Sequence, residues 1–389
     1  MTAADDVEMG ELAALAGKVG GEVAGPAAPE VDREARFPVE AIDALRAVRL
    51  LSVLVPRHLG GAGASITQVA GVVEELGRHC ASTSMIYAMH QIQIDCLVRH
   101  GRNEALQRYL GEVAANELLL ASATTELGVG GDVRTSVCAV ERTGAGFRLQ
   151  KNAPVISYGQ HADGILATAR ATPDSPASDQ VLVLCRAGDG MQLEPAGTWD
   201  TFGFRGTCSL GFLLTAEGDP TEILDDPYGD ISAQTMLPTS HVLWSSVWLG
   251  LATGAVSLAR RYVRAEARKK PGTTPPAATR LAELVGIHQQ MSGLVHGTAR
   301  RYQDARDDVD QLTSMSFAIA MNSLKVSAST MVVDIVQRAL TICGMAGYRE
   351  DSPYSMGRLL RDAHGAALMI NNDRILGHNA QMLLVSKED

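Results

Sequence analysis

Few stretches of this chain bring together residue types that could carry chemistry. One is Ala123-Thr124-Thr125-Glu126-Leu127-Gly128-Val129-Gly130-Gly131-Asp132, and another is Val155-Ile156-Ser157-Tyr158. Short hydroxyls beside glycine-rich turns can set O–H and backbone N–H donors against a ring on which negative charge develops as it accepts electrons. The plainer alternative is that Gly128, Gly130 and Gly131 only allow a tight turn between domains. Gly128-Val129-Gly130-Gly131 is not a dinucleotide loop, because its sixth position is Val133 and no βαβ unit surrounds it. The chain has no G-x-x-x-x-G-K-[ST], no G-x-S-x-G and no H-E-x-x-H. Its six cysteines include no C-x-x-C pair and read as reduced thiols, mostly in the core. The aspartates at 304–310 read as a solvated helix end, so no metal site is expected.

The elements that must position these residues follow from periodicity. The 389 residues are too many for one ordinary core. After a mobile start over residues 1–30, interrupted at Gly25-Pro26, a helix runs from Pro38 through Ile42, Leu45, Val48 and Leu51 to Pro56, and three more follow by residue 113. Short strands are predicted at 147–149, 164–169, 180–186 and 191–194, with an exposed hairpin loop at 172–178. Helical spacing returns over 242–267, 277–307, 313–343 and 360–386. This predicts an α+β chain of three domains: a helical one over 1–118, a β domain over 119–231 and a helical bundle over 232–389. A net charge of −10 excludes a nucleic-acid or anionic-membrane surface. The apolar runs are too short to span a bilayer and the acidic opening is unlike a signal peptide, which predicts a cytoplasmic protein.

Five stretches in this order resemble the acyl-CoA dehydrogenase superfamily. Phe37-Pro38 with Pro56-Arg57-His58-Leu59-Gly60-Gly61-Ala62-Gly63 is similar to its F-P and P-x-x-x-G-G-x-G. Residues 124–132 resemble its T-E-P-x-A-G-S-D loop, with Leu127 for Pro and Gly131 for Ser. Residues 149–159 fall on L-x-G-x-K-x-W-I-T-N-G, with Val155 for Trp, Ile156 and Ser157 for Ile-Thr, and Tyr158 for Asn. Gly203-Phe204-Arg205-Gly206-Thr207 matches G-x-R-G-T, and Gly344-Met345-Ala346-Gly347-Tyr348 with Arg361-Asp362 parallels G-G-x-G-Y and R-D. The resemblance implies a helical domain, a central β-barrel or sandwich domain and a C-terminal four-helix bundle. It implies FAD held by Thr124, Thr125, Gly130, Gly131, Val155 and Ser157. Arg268, of Arg268-Lys269-Lys270-Pro271-Gly272, and Thr341, where relatives carry Gln, would serve the flavin of a neighbouring subunit in a homodimer or homotetramer.

The resemblance departs at the catalytic base. Relatives use a Glu to remove the substrate's α proton while hydride passes from the β carbon to flavin. Counting from Arg361-Asp362, the Glu-Gly-Thr position holds Ile370-Asn371-Asn372, and the alternative Glu position holds Ser240. Isoleucine accepts no proton, so another group must serve. The candidates are His90, on a helix that faces the flavin in relatives, His241, His364, Asn372 and Asp373, with His90, His241 and Asp373 taken as the catalytic set. The sequence thus predicts oxidation of an acyl group carried as a thioester on coenzyme A or a carrier protein. Flavin monooxygenases of this fold, which use FMN or FADH2 supplied by a reductase, share a His on the helix of His90 and a small hydroxyl like Ser157. A catalytically silent subunit paired with a Glu-bearing partner is the third reading.

Overall fold

A computed structural model describes residues 3–129, 133–188 and 190–385. Helices occupy the N-terminal part: α1 (Ala3–Val19), α2 (Gly25–Glu34), α3 (Val39–Ala47), α4 (Ile66–His79), α5 (Ala81–His100) and α6 (Glu104–Asn116). The interruption expected at Gly25-Pro26 is absent. A π turn at Gly20–Ala24 leads straight into α2, where Pro26 sits in the first turn and no intrahelical N–H is needed from it. The helix expected to reach Pro56 stops early, because Arg49 adopts φ +55° and turns the chain inward.

Seven strands then form two sheets. In the first, β1 (Leu120–Ala123) pairs parallel with β4 (Gly164–Arg170), which pairs antiparallel with β5 (Gln180–Arg186). The second is antiparallel, in the order β2 (Glu141–Thr143), β3 (Gly146–Ala153), β7 (Phe212–Gly218), β6 (Met191–Pro195). Burial alternates along β3, as for a strand with one face on the core. Strand β4 is buried almost throughout, so its run of apolar residues covers both faces. Strands β1, β2 and β7 were not expected from the sequence, whereas the hairpin loop between β4 and β5 was.

The C-terminal part comprises α7 (Tyr228–Ile231), a π turn at Ser232–Met236, α8 (Leu237–Lys269), α9 (Ala277–Ala305), α10 (Val309–Leu312), α11 (Met315–Cys343), α12 (Met345–Tyr348), α13 (Gly357–Gly365) and α14 (Asn372–Leu383). The single helix expected over 360–386 is therefore two, broken at a left-handed residue, Ile370. Helix α8 is the central shaft, packed on α4, α5, α9 and α11. It lies so close to α4 that a Cβ on Gly250 would stand 2.1 Å from the Glu74 carbonyl oxygen. By length and composition the helical run Tyr228–Lys269 and α11 could each cross a membrane, contrary to the expectation of short runs. The most apolar part of the first is 78% buried against other helices, which accounts for its apolarity, but that of α11 is only 44% buried.

Candidate active site

The three parts of the chain meet around one large cavity of about 600 Å³, within the range of small-molecule and cofactor sites. Met85, Met89 and Ile92 of α5 form one side at helical spacing, and Met236, Leu237, Ser240 and Trp244 another. Ser122, Thr124, Thr125, Val155 and Ser157 reach it from the β domain. The loop from Trp199 to Phe204 and the segment from Arg361 to Ile370 complete the wall. Phe202 and Leu368, 63% and 73% exposed, stand at its rim.

The hydroxyl wall is held by buried polar bonds. Glu126, next to Thr125, accepts from the N–H groups of Val137 (3.1 Å) and Cys138 (2.6 Å) and from Lys151 Nζ (3.0 Å). Lys151, fully buried on β3, also donates to Thr168 O at 2.8 Å. This pins the loop to both sheets, and Thr125 Oγ1 donates to Val155 O at 3.1 Å. Beyond it, Ser209 Oγ donates to Ser157 Oγ at 2.8 Å and contacts Thr207 Oγ1 at 2.8 Å. The Ser157 O–H is left to donate to whatever occupies the cavity. The loop wall depends on α13. A Cβ on Gly203 would lie 2.3 Å from Arg361 O, and the Phe204 N–H donates to Asp362 Oδ1 at 2.7 Å.

The expected bases are placed otherwise. His90 is fully buried but is not among the cavity-lining residues, unlike its neighbour Met89. Its Nε2 donates to Leu51 O (2.8 Å) and its Nδ1 accepts from the Leu120 N–H (3.0 Å). Burial lowers its pKa to about 4. Both ring nitrogens are thus committed to backbone, one to the segment after α3 and the other to β1. His241 faces α11, with Nδ1 3.1 Å from Met321 O, and burial pulls its pKa down to about 3. The cavity-facing residues of that turn are its neighbours Ser240 and Trp244. Asp373 is exposed on the first turn of α14, away from the cavity, and Asn372 is engaged by Lys325 and Ser329.

Among the described lining residues His364 is the one imidazole, its ring 6.1 Å from that of Phe202, and there is no carboxylate. Ile370, expected from the motif count to stand in for Glu, lines the cavity. Of the expected cofactor residues, Thr124, Thr125, Val155 and Ser157 line the cavity, whereas Gly130 and Gly131 lie outside the described residues. Arg268 and Thr341 are exposed, at the end of α8 and on α11, and do not reach the cavity of their own chain. Sequence reasoning missed Trp199, Phe202 and Trp244. The spacing of Met85, Met89 and Ile92 was a visible signal, but an irregular loop such as that of Trp199 gives none.

The buried imidazoles predict an acid-labile fold. His90 and His241 are neutral when folded and charge freely when unfolded. Their stabilising contribution is full above the ordinary value of 6.5 and is lost as pH falls toward 4. Asp362 opposes this, because burial raises its carboxyl from 3.8 to about 6 and its protonated form favours the folded state at low pH. Two imidazoles outweigh one carboxyl, so a net loss of about 4 kcal/mol is expected between pH 6.5 and 4. Urea denaturation across that range checks it, and His241→Leu should flatten the profile. A flat wild-type profile would refute this account of the two imidazoles.

Comparison with known proteins bears on the family and the fold. The family profile described as acyl-CoA dehydrogenase, N-terminal domain, matches residues 9–117, and that of the C-terminal domain matches residues 229–369. The chain is 25% identical over 344 residues to cyclohex-1-ene-1-carbonyl-CoA dehydrogenase of Geobacter metallireducens, covering 87% of each protein. It is 26% identical over 341 residues to dibenzothiophene monooxygenase of Mycolicibacterium goodii, covering 82% of this chain and 81% of that one. The fold is that of FMN-bound TdsC from a Paenibacillus species (TM-score 0.85, 19% identity, 97% and 98% covered) and of butyryl-CoA dehydrogenase from Megasphaera elsdenii (TM-score 0.83, 19% identity, 99% of each covered).

Proposed function

The chain belongs to the acyl-CoA dehydrogenase family, and from that premise we propose that it is a flavin-dependent oxidoreductase that oxidises an acyl thioester, with His364 as the base. The observation that carries this reading is the cavity itself: apolar on most sides, with the hydroxyls of Thr124, Thr125 and Ser157 on one wall and His364 as the one imidazole among its described lining residues. The donor set fits a flavin, because the free Ser157 O–H and the short threonine side chains suit a ring edge that gains negative charge. FAD is the cofactor expected of the family, and FMN is the alternative that matches the TdsC structure. A bound flavin supplies the two-electron acceptor that takes hydride from the β carbon of the substrate. His364 takes the proton released from the α carbon. The walls from α5 and α8 are apolar, while His364 stands on the exposed side of the cavity beside Phe202 and Leu368.

A second reading has its own observation. No carboxylate is among the described lining residues, and a carboxylate is the usual group for removing an α proton. An oxygen-activating monooxygenase, fed with reduced flavin by a separate reductase, needs no such carboxylate. Two assays separate the readings. Acyl-CoA-dependent reduction of an artificial electron acceptor without oxygen supports the first. Oxygen uptake that depends on both a nicotinamide-linked flavin reductase and an apolar aromatic substrate supports the second. Failure of both across a panel of acyl chain lengths would sink the enzyme reading.

The half-exposed apolar face of α11, with Arg268 and Thr341 outside their own chain's cavity, supports a homodimer or homotetramer that completes each flavin site from a neighbour. Native mass spectrometry should therefore give two or four chains of 41.2 kDa, each with about one flavin. A flavin-free monomer would favour the silent-subunit alternative.

A further inference from the structure

Ile370 stands on the cavity wall with φ +51°. A β-branched residue in the left-handed region is strained and persists only where its surroundings hold it. The holding group comes from another helix. Lys325 of α11 is fully buried, and its Nζ donates to Ile370 O at 2.6 Å and to Asn372 Oδ1 at 2.7 Å. Asn372 Nδ2 donates in turn to Ser329 Oγ at 3.0 Å, one turn along α11. Behind the ammonium lies the Trp248 ring of α8, 5.8 Å away.

Among the described residues no carboxylate pairs with this cation, and burial lowers its pKa to about 8. A buried cation facing only neutral oxygens is costly, and an apolar residue would serve the packing of α8 on α11 better. What Lys325 adds is directional. Its donors meet the turn that carries Leu368, Met369 and Ile370 onto the wall. We propose that Lys325 is a positioning residue of the flavin cavity, fixing the left-handed turn at Ile370 through its carbonyl and so the wall that the turn carries. The proposal rests on the reading that this cavity holds a flavin.

The test is Lys325→Met in the full-length protein, alone and combined with Ile370→Gly, which removes the strain that the clamp offsets. FAD affinity is read by flavin fluorescence, the bound state by its visible spectrum and the fold by thermal unfolding of the flavin-free protein. Lys325→Met should raise the FAD dissociation constant about tenfold and alter the bound spectrum, with little loss of flavin-free stability. In the Ile370→Gly background the same change should have a much smaller effect, because the two residues act through one turn. Wild-type affinity and spectrum in Lys325→Met, or an equal effect in both backgrounds, would overturn the proposal. Should Lys325→Met alone fail to fold, the double variant is expected to recover folding, and its failure would show that Lys325 supports the bundle instead. Wild-type protein that takes up neither FAD nor FMN would overturn the flavin reading itself, and the proposal with it.

Discussion

Glu126→Ala should lower stability by about 3–5 kcal/mol, the usual cost of leaving one partner of a buried ion pair alone. The change removes three acceptor contacts at once: those to the Val137 and Cys138 N–H groups and that to Lys151. Lys151 would remain charged and fully buried, with only Thr168 to meet it. Because the same carboxylate anchors the loop that carries Thr124 and Thr125, the loss should extend to flavin retention. Chemical denaturation and flavin content, measured on the same preparation, check both parts. The companion Glu126→Ala/Lys151→Met removes the orphaned cation and should recover part of the stability while leaving the loop unanchored. A single variant as stable as wild type would mean that the pair contributes nothing to the fold.

His364→Ala is expected to lower turnover by about 10²–10⁴, the contribution of a positioned acid or base, with flavin content unchanged. His90→Ala should do the reverse. It strands the Leu120 N–H, at about 1–3 kcal/mol for a buried group left unpaired, while the Leu51 carbonyl keeps the Gln91 amide as a donor at 2.8 Å, and it leaves turnover per folded molecule near wild type. Steady-state kinetics at saturating substrate, paired with denaturation curves, separates the two. Full turnover in His364→Ala would remove it as the base and favour the reading in which no α proton is taken. Ile370→Glu extends the series by placing a carboxylate on the wall where the motif count expects one, and gain of acyl-CoA oxidation would show that the rest of the site is competent.

The candidate site was legible in the sequence to the extent that its chemistry is local. Thr124, Thr125 and Ser157 could be found because short hydroxyls beside glycine-rich turns are contiguous features, and all three line the cavity. Ile370 and Ser240, singled out by motif spacing, both line the cavity as well. His90 was misjudged for a geometric reason. Successive helix residues differ by about 100° in direction, so a motif can place the right helix at a site and still leave the side chain open. Met89 faces the cavity and His90, one residue on, faces Leu51 and Leu120.

The order of α, then β, then α elements was set by the sequence alone, through a change of apolar period from helical to alternating and back. Tertiary structure alone decided which histidine meets the cavity, because His364 reaches it only where α13 is docked against the loop of Phe202 and Gly203. It also decided that Lys325 holds Ile370, a contact between residues 45 positions apart. Both depend on how helices rotate and pack against one another, which is fixed by the whole core and written in no single stretch of the chain.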